Sequence, residues 1–269
     1  MDPSSTQRLP LWRWAPESAP ARHMDEVAVE EPLEIRIGGH AVGVTMRTPG
    51  DDRELVAGFL LAEGVLRSAA DLADIRPCSV EEGNVVDVVL AEGVPVDLAR
   101  LSRHVVVSSS CGLCGAASLD AVRQRFAAVD AGPAIDPSLI QALPSRLRAA
   151  QPGFDRTGGV HGAAIFDADG TLVVAREDIG RHNAVDKAIG FALLAGLLPL
   201  RRHVLLVSGR ASFEIVQKAL AAAIPIVAAV SAPSSLAVDL AHESGQTLVG
   251  FLRPGQMNIY AHPDRVAVG

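Results

Sequence analysis

The residues best suited to covalent chemistry are Cys111 and Cys114, which form a C-x-x-C motif within Ser-Ser-Ser-Cys-Gly-Leu-Cys-Gly at residues 108–115. An apolar run at 104–108 precedes the motif and a helix-like segment at 116–128 follows it, which predicts a strand-to-helix turn. Amides at a helix N-terminus stabilise a thiolate and so favour a reactive cysteine. Half of a zinc site, or two small residues buried in a turn, are the alternatives, although the Gly and Ser neighbours argue against burial.

A catalytic zinc ion is not predicted. Zinc deaminases combine a H-x-E motif with a later P-C-x-x-C motif. Here the order is reversed, Cys111 follows Ser110 rather than proline, and His161-Gly-Ala163 lacks the glutamate. The strand, the C-x-x-C and the helix could still echo the deaminase fold without its metal.

His161 lies in a glycine-rich stretch, Thr-Gly-Gly-Val-His-Gly-Ala at 157–163, directly before a predicted strand. A hydrogen-bonded structural histidine is the more frequent outcome for such a residue. Proton transfer beside the cysteine thiolate is the alternative that would give it a chemical role.

Three further loops could bind an anion, because each follows a predicted strand and opens a predicted helix. They lie at residues 177–187, 208–212 and 231–235. Small residues, arginines and helix N-terminal amides together suit a phosphate group. Helix caps and a solvated polar face would explain any one of these loops, but three in succession favour a nucleotide-sized anionic ligand. Neither a G-x-G-x-x-G motif nor a P-loop lysine is present. The binding candidates are Arg181, His182, Ser208, Gly209, Arg210, Ser212, Ser231 and Ser234.

The first of these loops leads into a helix with polar residues at regular spacing. Asp178, His182 and Asp186 recur every four residues, as do Asn183 and Lys187, so each set shares one side of the helix. The simplest expectation for such a side is that it faces solvent.

The elements that position these groups alternate between strands and helices after a hairpin at 162–166 and 171–175. Such alternation implies a partly parallel sheet covered by helices on both faces. Ligands bind at the carboxyl ends of the strands in sheets of this kind. The other predicted elements are helices at 138–149, 181–197, 213–222 and 236–242, and strands at 203–207, 225–230 and 247–252.

The first part of the chain predicts a smaller α+β region. Residues 33–37 and 40–45 are typical of a β-hairpin around Gly-Gly, and 84–90 of a further strand. Asp51 and Glu54 resemble a capping box at the start of a helix.

Composition excludes several classes of protein. The chain has 269 residues, 49% of them hydrophobic and 20% charged, which is typical of a globular protein with one large or two modest domains. A net charge of -7 argues against a general nucleic-acid or anionic-membrane binder. The three cysteines suit a reducing compartment, and Cys78, which has no motif partner, is predicted to be a small packed residue.

The N-terminus lacks the pattern of a signal peptide, and no apolar run is long enough to span a bilayer. We therefore expect a cytoplasmic protein without a membrane segment. The predicted organisation is a flexible tail at 1–25, a small α+β domain at 26–107, and an α/β domain carrying the cysteines and the ligand loops at 108–269.

Several motifs together resemble the FdhD family of formate dehydrogenase accessory sulfurtransferases, from about residue 31 to 260. They are Ser-Cys-Gly-Leu-Cys-Gly, Thr-Gly-Gly-Val-His-Gly-Ala, Glu-Asp-Ile-Gly-Arg-His-Asn-Ala-Val-Asp-Lys, Ser-Gly-Arg-Ala-Ser-Phe-Glu, Ser-Ala-Pro-Ser-Ser and Gly-Phe-Leu-Arg-Pro-Gly-Gln-Met-Asn-Ile-Tyr. The resemblance implies a cytidine-deaminase-like α/β fold with a mixed sheet, and a homodimer. It also implies sulfur transfer from a cysteine desulfurase to the molybdenum cofactor of formate dehydrogenase, in its bis(molybdopterin guanine dinucleotide) form.

The same resemblance assigns roles to individual residues. Cys111 would carry the persulfide and Cys114 would be the second thiol. A cofactor-binding stretch would comprise Phe251, Leu252, Arg253, Pro254, Gly255 and Gln256. Because the cofactor contains guanine nucleotides, GDP is expected to bind as an analogue. The Pro-Gly pair predicts a turn with a positive φ at the glycine.

Two other classes of function stay open at this point. One is a thiol–disulfide oxidoreductase that uses Cys111 and Cys114, although the thioredoxin-type context is absent. The other is a non-enzymatic chaperone that protects the molybdenum cofactor and uses the cysteines only as contacts.

Overall fold

The computed structural model describes residues 5–78, 84–98, 101, 122, 125–130, 132 and 134–266. Within that part the chain forms twelve strands in three sheets, and six α-helices. The strands are β1 Thr6–Arg13, β2 Ala21–Ala28, β3 Glu31–Ile37, β4 His40–Arg47, β5 Leu72–Pro77, β6 Val85–Leu90, β7 His161–Asp167, β8 Leu172–Asp178, β9 His203–Val207, β10 Ile226–Ala229, β11 Thr247–Arg253 and β12 Gln256–Ala261. The helices are α1 Asp52–Ala62, α2 Pro137–Ala149, α3 Pro152–Thr157, α4 Arg181–Leu194, α5 Phe213–Ala221 and α6 Ser235–Ser244.

The central sheet has the strand order β12-β11-β10-β9-β7-β8. β9, β10 and β11 are parallel, whereas β7 runs antiparallel to both β8 and β9, and β12 runs antiparallel to β11. The predicted mixed α/β sheet is therefore confirmed. Since β7 is reversed, its first residue lies at the edge where β8, β9 and β10 end.

Both faces of the sheet are covered. Ile165, Leu205 and Val227 pack with α4, α5 and α6 in one apolar cluster, and their alternating neighbours pack with α2 in a second cluster. The parallel strands are buried on both faces, which explains why they are continuous apolar runs in the sequence. The prediction that helices cover both faces of the central sheet is confirmed.

The N-terminal four-stranded sheet, in the order β4-β3-β6-β5, is joined to the central body through α1, which packs on α4. Gly58 and Gly190 make this close packing feasible. A Cβ atom at Gly58 would overlap the carbonyl of Asp186, and one at Gly190 would overlap that of Glu54. One continuous apolar cluster includes Leu33, Leu55 and Val185, so the small α+β region shares its core with the rest of the chain.

The flexible tail predicted for 1–25 is corrected for the part that the structure describes. β1 and β2 form an antiparallel hairpin with pairs from Thr6↔Ala28 to Arg13↔Ala21. Most of its side chains are exposed on both faces, so the sequence shows no period-two apolar pattern. Arg156 of α3 binds Thr6 and Glu26 and anchors the base of the hairpin.

The capping box predicted at Asp51 is wrong. Asp51 precedes α1 with a φ of 57°, and its side chain makes no capping hydrogen bond. Glu54 instead forms a bidentate ion pair with Arg176 of β8, with distances of 2.6 and 2.8 Å. Along the segments that the structure describes, no helix is both long and apolar enough to cross a membrane.

Candidate functional site at the carboxyl edge of the sheet

Backbone hydrogen bonds connect two of the predicted ligand loops, those after β9 and β10, with the start of β7 and with Phe251. The amide of Ser208 donates to the carbonyl of Gly162 (2.9 Å), that of Ser231 to Gly209 (3.4 Å), and that of Phe251 to Ser231 (3.1 Å). We call this row, from Gly162 through Ser208, Gly209 and Ser231 to Phe251, the carboxyl-edge ledge. It crosses three strand spacings, or roughly 14 Å.

One end of the ledge is cationic. His161 and Arg181 flank Gly209, where an added Cβ would lie 3.4 Å from His161 Nδ1 and 3.8 Å from Arg181 Cδ. Burial lowers the pKa of His161, and the positive charges of Arg181 and Arg210 lower it further, against the opposing effect of Asp178. Arg181 and Arg210, two of the predicted binding residues, therefore both act on His161, and the lowered pKa favours its neutral form.

The two arginines at this end are not paired with carboxylates of the described residues. Neither Arg181 nor Arg210 forms an ion pair with any residue that the structure describes. The buried Nε atom of Arg181 also has no hydrogen-bond partner there. Such a cluster favours an anionic ligand, because a bound anion would supply the missing counter-charge.

His182 and Ser212, both predicted binding residues, contact each other. The Nε2 atom of His182 lies 2.9 Å from Ser212 Oγ and 3.1 Å from Glu214 Oε2. Burial, together with the charges of Lys218 and Arg181, lowers the pKa of His182 to about 3. Its contact with Glu214 is therefore a hydrogen bond of a neutral ring and not an ion pair.

Two of the predicted binding serines use their hydroxyl groups within the protein. Ser208 Oγ accepts a hydrogen bond from Gly162 N (2.9 Å), and Ser234 Oγ caps α6 by accepting from Ala237 N (3.3 Å). The capping interpretation thus holds for Ser234. Arg181 and Arg210 are therefore the strongest candidates for contact with a ligand.

The polar side of α4 is buried, which contradicts the expectation of a solvent-facing side. Asp178 is 0% and Lys187 1% exposed, and their charged groups lie 2.8 Å apart. Asp178 also accepts hydrogen bonds from the amides of Thr48 (3.1 Å) and Gly180 (2.8 Å), and from Asn183 Nδ2 (3.0 Å). We call Thr48, Asp178, Asn183 and Lys187 the closed polar cluster.

The closed polar cluster fixes the loop that carries Arg181. Thr48, which follows β4, accepts a hydrogen bond from Ile179 N at its hydroxyl (3.0 Å) and another from Lys187 Nζ at its carbonyl (2.9 Å). Sequence reasoning missed this role of Thr48, because no local pattern relates it to residues more than 100 positions later. Hydrogen bonds to Thr48, which belongs to the N-terminal part of the chain, therefore hold the loop in place.

The stretch 251–256 forms the predicted turn at the far end of the ledge. Gly255 has a φ of 82°, which confirms the predicted positive φ. Arg253, Pro254 and Gln256 are exposed, whereas Leu252 is fully buried in the cluster that contains α2. A ligand could reach Leu252 only through its backbone.

Phe251 has an unusual backbone conformation. Its φ is 51° and its side chain is exposed, where the pairing of β11 with β12 shifts register. Positive φ is uncommon for a bulky residue, and register irregularities often re-aim a side chain beside a functional site. The ring of Phe251 therefore belongs to the ledge surface.

The C-x-x-C motif, Cys111 and Cys114, lies outside the described residues, so its predicted strand-to-helix turn, its reactivity and its lack of a metal stay predictions. Cys78 is described. It is half-buried and its amide donates to the carbonyl of Val85 (2.9 Å).

Comparison with known proteins gives a consistent result. A family model described as FdhD/NarQ matches residues 28–267. A relative named sulfur carrier protein FdhD from Streptomyces avermitilis is 57% identical over 261 residues, covering 94% of this chain and 93% of the relative. The protein of the same name from Mycobacterium tuberculosis is 54% identical over 253 residues, covering 90% of this chain and 92% of the relative.

The fold has a solved counterpart. A crystal structure of a formate dehydrogenase accessory protein from Desulfotalea psychrophila superimposes with a TM-score of 0.78 at 27% sequence identity, covering 97% of this chain and 99% of that one. The similarity therefore extends over almost the whole length of both chains.

Proposed function

The chain belongs to the FdhD/NarQ family, and from this premise we propose that it is a sulfurtransferase that loads sulfur onto the molybdenum cofactor before formate dehydrogenase receives it. Its relatives are named sulfur carriers, and its structural counterpart is a formate dehydrogenase accessory protein. Both names support a role for this chain as a sulfur carrier that serves formate dehydrogenase. The observation that carries the ligand half of the proposal is the uncompensated cationic end of the ledge, at His161, Arg181 and Arg210.

The proposed sulfur chemistry uses Cys111. Its thiolate attacks the outer sulfur of a persulfide on a cysteine desulfurase, the sulfur–sulfur bond of that persulfide breaks, and the desulfurase leaves as a thiolate. Cys111 then carries the sulfur as its own persulfide. Attack of Cys114 on the inner sulfur would release hydrosulfide and leave a Cys111–Cys114 disulfide, which a reductant must reopen.

The substrate of the second half-reaction is the bis(molybdopterin guanine dinucleotide) form of the cofactor, which carries several phosphates. The guanidinium groups of Arg181 and Arg210 suit those phosphates. Arg253 at the exposed turn is a further candidate, as the family resemblance implies. GDP should compete for this surface as an analogue of the nucleotide end.

Mass spectrometry tests the sulfur half. After incubation with a cysteine desulfurase and cysteine, the wild-type chain should gain the mass of one sulfur atom, and Cys111→Ala should not. Cys78→Ala is the matched control and should gain sulfur normally. A wild-type chain that gains no sulfur but protects bound cofactor would favour the chaperone, and rapid exchange with a simple disulfide would favour the oxidoreductase.

Maturation of formate dehydrogenase tests the whole proposal. We expect Cys111→Ala to abolish maturation while its unfolding curve matches that of the wild type. Full maturation by this variant would eliminate the persulfide mechanism. The homodimer implied by the resemblance is part of the proposal, and sedimentation velocity tests it.

A further inference from the structure

A cavity of about 520 Å³ opens beside the cationic end of the ledge, on the face of the sheet that α2 covers. His161 and Ser208 line this cavity and also belong to the anion site or the ledge. The cavity therefore adjoins the cationic end at His161 and the ledge at Ser208. The volume lies within the range of pockets that hold small organic ligands, about 300–1,000 Å³.

The walls of the cavity suit a flat, largely uncharged group. Leu147, Val160 and Val230 supply apolar surface, and Phe154 of α3 supplies an aromatic ring. The guanidinium carbon of Arg148 lies 4.8 Å from the centroid of that ring, so one rim of the cavity is a stacked cation and arene. Planar heteroaromatic rings bind well against such surfaces.

Gln151 is the polar group at the cavity that the fold itself does not explain. Its side chain is 3% exposed, and its amide nitrogen has no hydrogen-bond partner among the residues that the structure describes. Gln246 shows the usual arrangement for a buried glutamine: its amide nitrogen donates to Ile224 O (3.0 Å) and its carbonyl oxygen accepts from Ser244 Oγ (2.8 Å). An unpaired buried amide calls for a partner that the described residues do not supply.

The amide of Gln151 can reach the cavity by a small movement. It rests against Gly162, where a Cβ atom would overlap it. The last torsion of a glutamine side chain is broad, so the amide can turn from Gly162 towards the cavity at little cost.

We infer that this cavity binds the planar heteroaromatic ring, a purine or a pterin, of a ligand whose phosphates lie at the cationic end of the ledge, and that Gln151 forms a hydrogen bond with the ring. The inference rests on the proposed function and deepens it, because it divides the ligand between two chemically different compartments. The phosphates contact Arg181 and Arg210, and the ring packs between Phe154 and Val230.

Calorimetric titration of the full chain with pyrophosphate, GDP and a phosphate-free pterin tests this division. We expect pyrophosphate to bind and GDP to bind at least tenfold more tightly if the cavity holds a purine. If the cavity instead holds a pterin, the phosphate-free pterin should bind weakly by itself. If neither anion binds, the proposed ligand site fails together with the inference. If GDP and pyrophosphate bind equally and the pterin does not bind, the anion site stands and the inference about the cavity is overturned.

Two variants probe the cavity itself. Gln151→Leu should weaken GDP binding about three- to tenfold, the range of one hydrogen bond between uncharged groups, and should leave pyrophosphate binding unchanged. Its melting temperature should be equal or higher, since the substitution removes an unpaired amide at similar volume. Val230→Phe, which fills the cavity, should also weaken GDP binding selectively.

Gln246→Leu is the matched control, because it removes a buried glutamine whose hydrogen bonds are made. It should lower the melting temperature and leave the affinity for GDP unchanged. GDP affinities that are unaltered in both Gln151→Leu and Val230→Phe would overturn the inference. So would a selective loss of GDP binding in Phe251→Ala alone, because that result would locate the ring at the other end of the ledge.

Discussion

Two polar clusters lie within a few residues of each other around the start of α4, and they treat charge in opposite ways. In the closed polar cluster, the buried carboxylate of Asp178 receives four donors, including the ammonium group of Lys187. At the cationic end of the ledge, Arg181 and Arg210 have no carboxylate partner in the part of the chain that the structure describes. One loop thus separates a cluster whose charges are paired from one whose arginines have no carboxylate partner among the described residues.

The difference shows which charges stabilise the fold and which are available to a ligand. Removing one member of a fully buried pair leaves the other charge without compensation, at a cost of roughly 3–5 kcal/mol. Removing a partly exposed arginine without a partner costs the fold almost nothing. Substitutions in the closed polar cluster should therefore change stability, and substitutions at the cationic end should change ligand binding.

The largest effect is expected for Lys187→Met, which leaves the Asp178 carboxylate buried without its counter-charge. The free energy of unfolding in urea should fall by about 3–5 kcal/mol. The double variant Asp178→Asn, Lys187→Met removes both charges and should recover part of this loss. A single variant within about 0.5 kcal/mol of the wild type would mean that the closed polar cluster does not hold the Arg181 loop.

Arg210→Ala should show the opposite profile. We expect its unfolding curve to match that of the wild type, and its affinity for pyrophosphate to fall about ten- to hundredfold, because a charge-assisted hydrogen bond contributes roughly 1.5–3 kcal/mol. Arg202→Ala is the control, since Arg202 is an equally exposed arginine at the amino end of β9. Equal losses of affinity in the two variants would point to general electrostatic attraction instead of a site.

Arg253→Ala probes the other end of the ledge and should have a smaller effect on the same ligand class. Arg253 is exposed at the β11–β12 turn, so holding its side chain against a phosphate costs conformational entropy. We expect about tenfold weaker binding of GDP, with the melting temperature and the persulfide on Cys111 unchanged. Normal binding by this variant would confine the site to the Arg181 and Arg210 loops.

Sequence reasoning predicted the elements with a strong local signal. β9 was placed correctly at its five residues because they are a continuous apolar run, and the turn at Pro254-Gly255 was recognised from the residues that turns require. The rule that ligands bind at the carboxyl ends of strands directed attention to the loops after β9 and β10, and backbone hydrogen bonds connect these loops to each other and to Phe251. The binding roles of the candidate residues stay predictions.

Features set by distant contacts were not predictable in the same way. The closed polar cluster depends on Thr48 meeting Asp178, a contact between residues 130 positions apart. Without that contact, the regular spacing of Asp178, His182 and Asp186 suggests a solvated side. The cavity beside Gln151 likewise exists only because α2, α3 and the start of β7 converge, and no periodicity encodes that.

The smallest expected effect is the pH dependence of anion binding at the cationic end. His161 shares the cationic end with Arg181 and Arg210, and burial and these arginines lower its pKa below the ordinary value of 6.5. A bound anion would raise that pKa again, because it favours the imidazolium form. Binding should therefore take up protons, and this contribution should strengthen binding as the pH falls through the pKa that His161 has in the complex.

The ligand titrates too, since a terminal phosphate has a pKa of about 6 and loses charge as the pH falls. Comparison with His161→Gln removes this contribution, because both proteins meet the same ligand in the same buffers. The ratio of wild-type to variant affinity for pyrophosphate should rise several-fold from neutral pH into the acidic range. A histidine that stays neutral over that range, such as His182 with its pKa of about 3, would leave the ratio unchanged. A flat ratio for His161 would thus assign it a structural role and leave the anion to the two arginines alone.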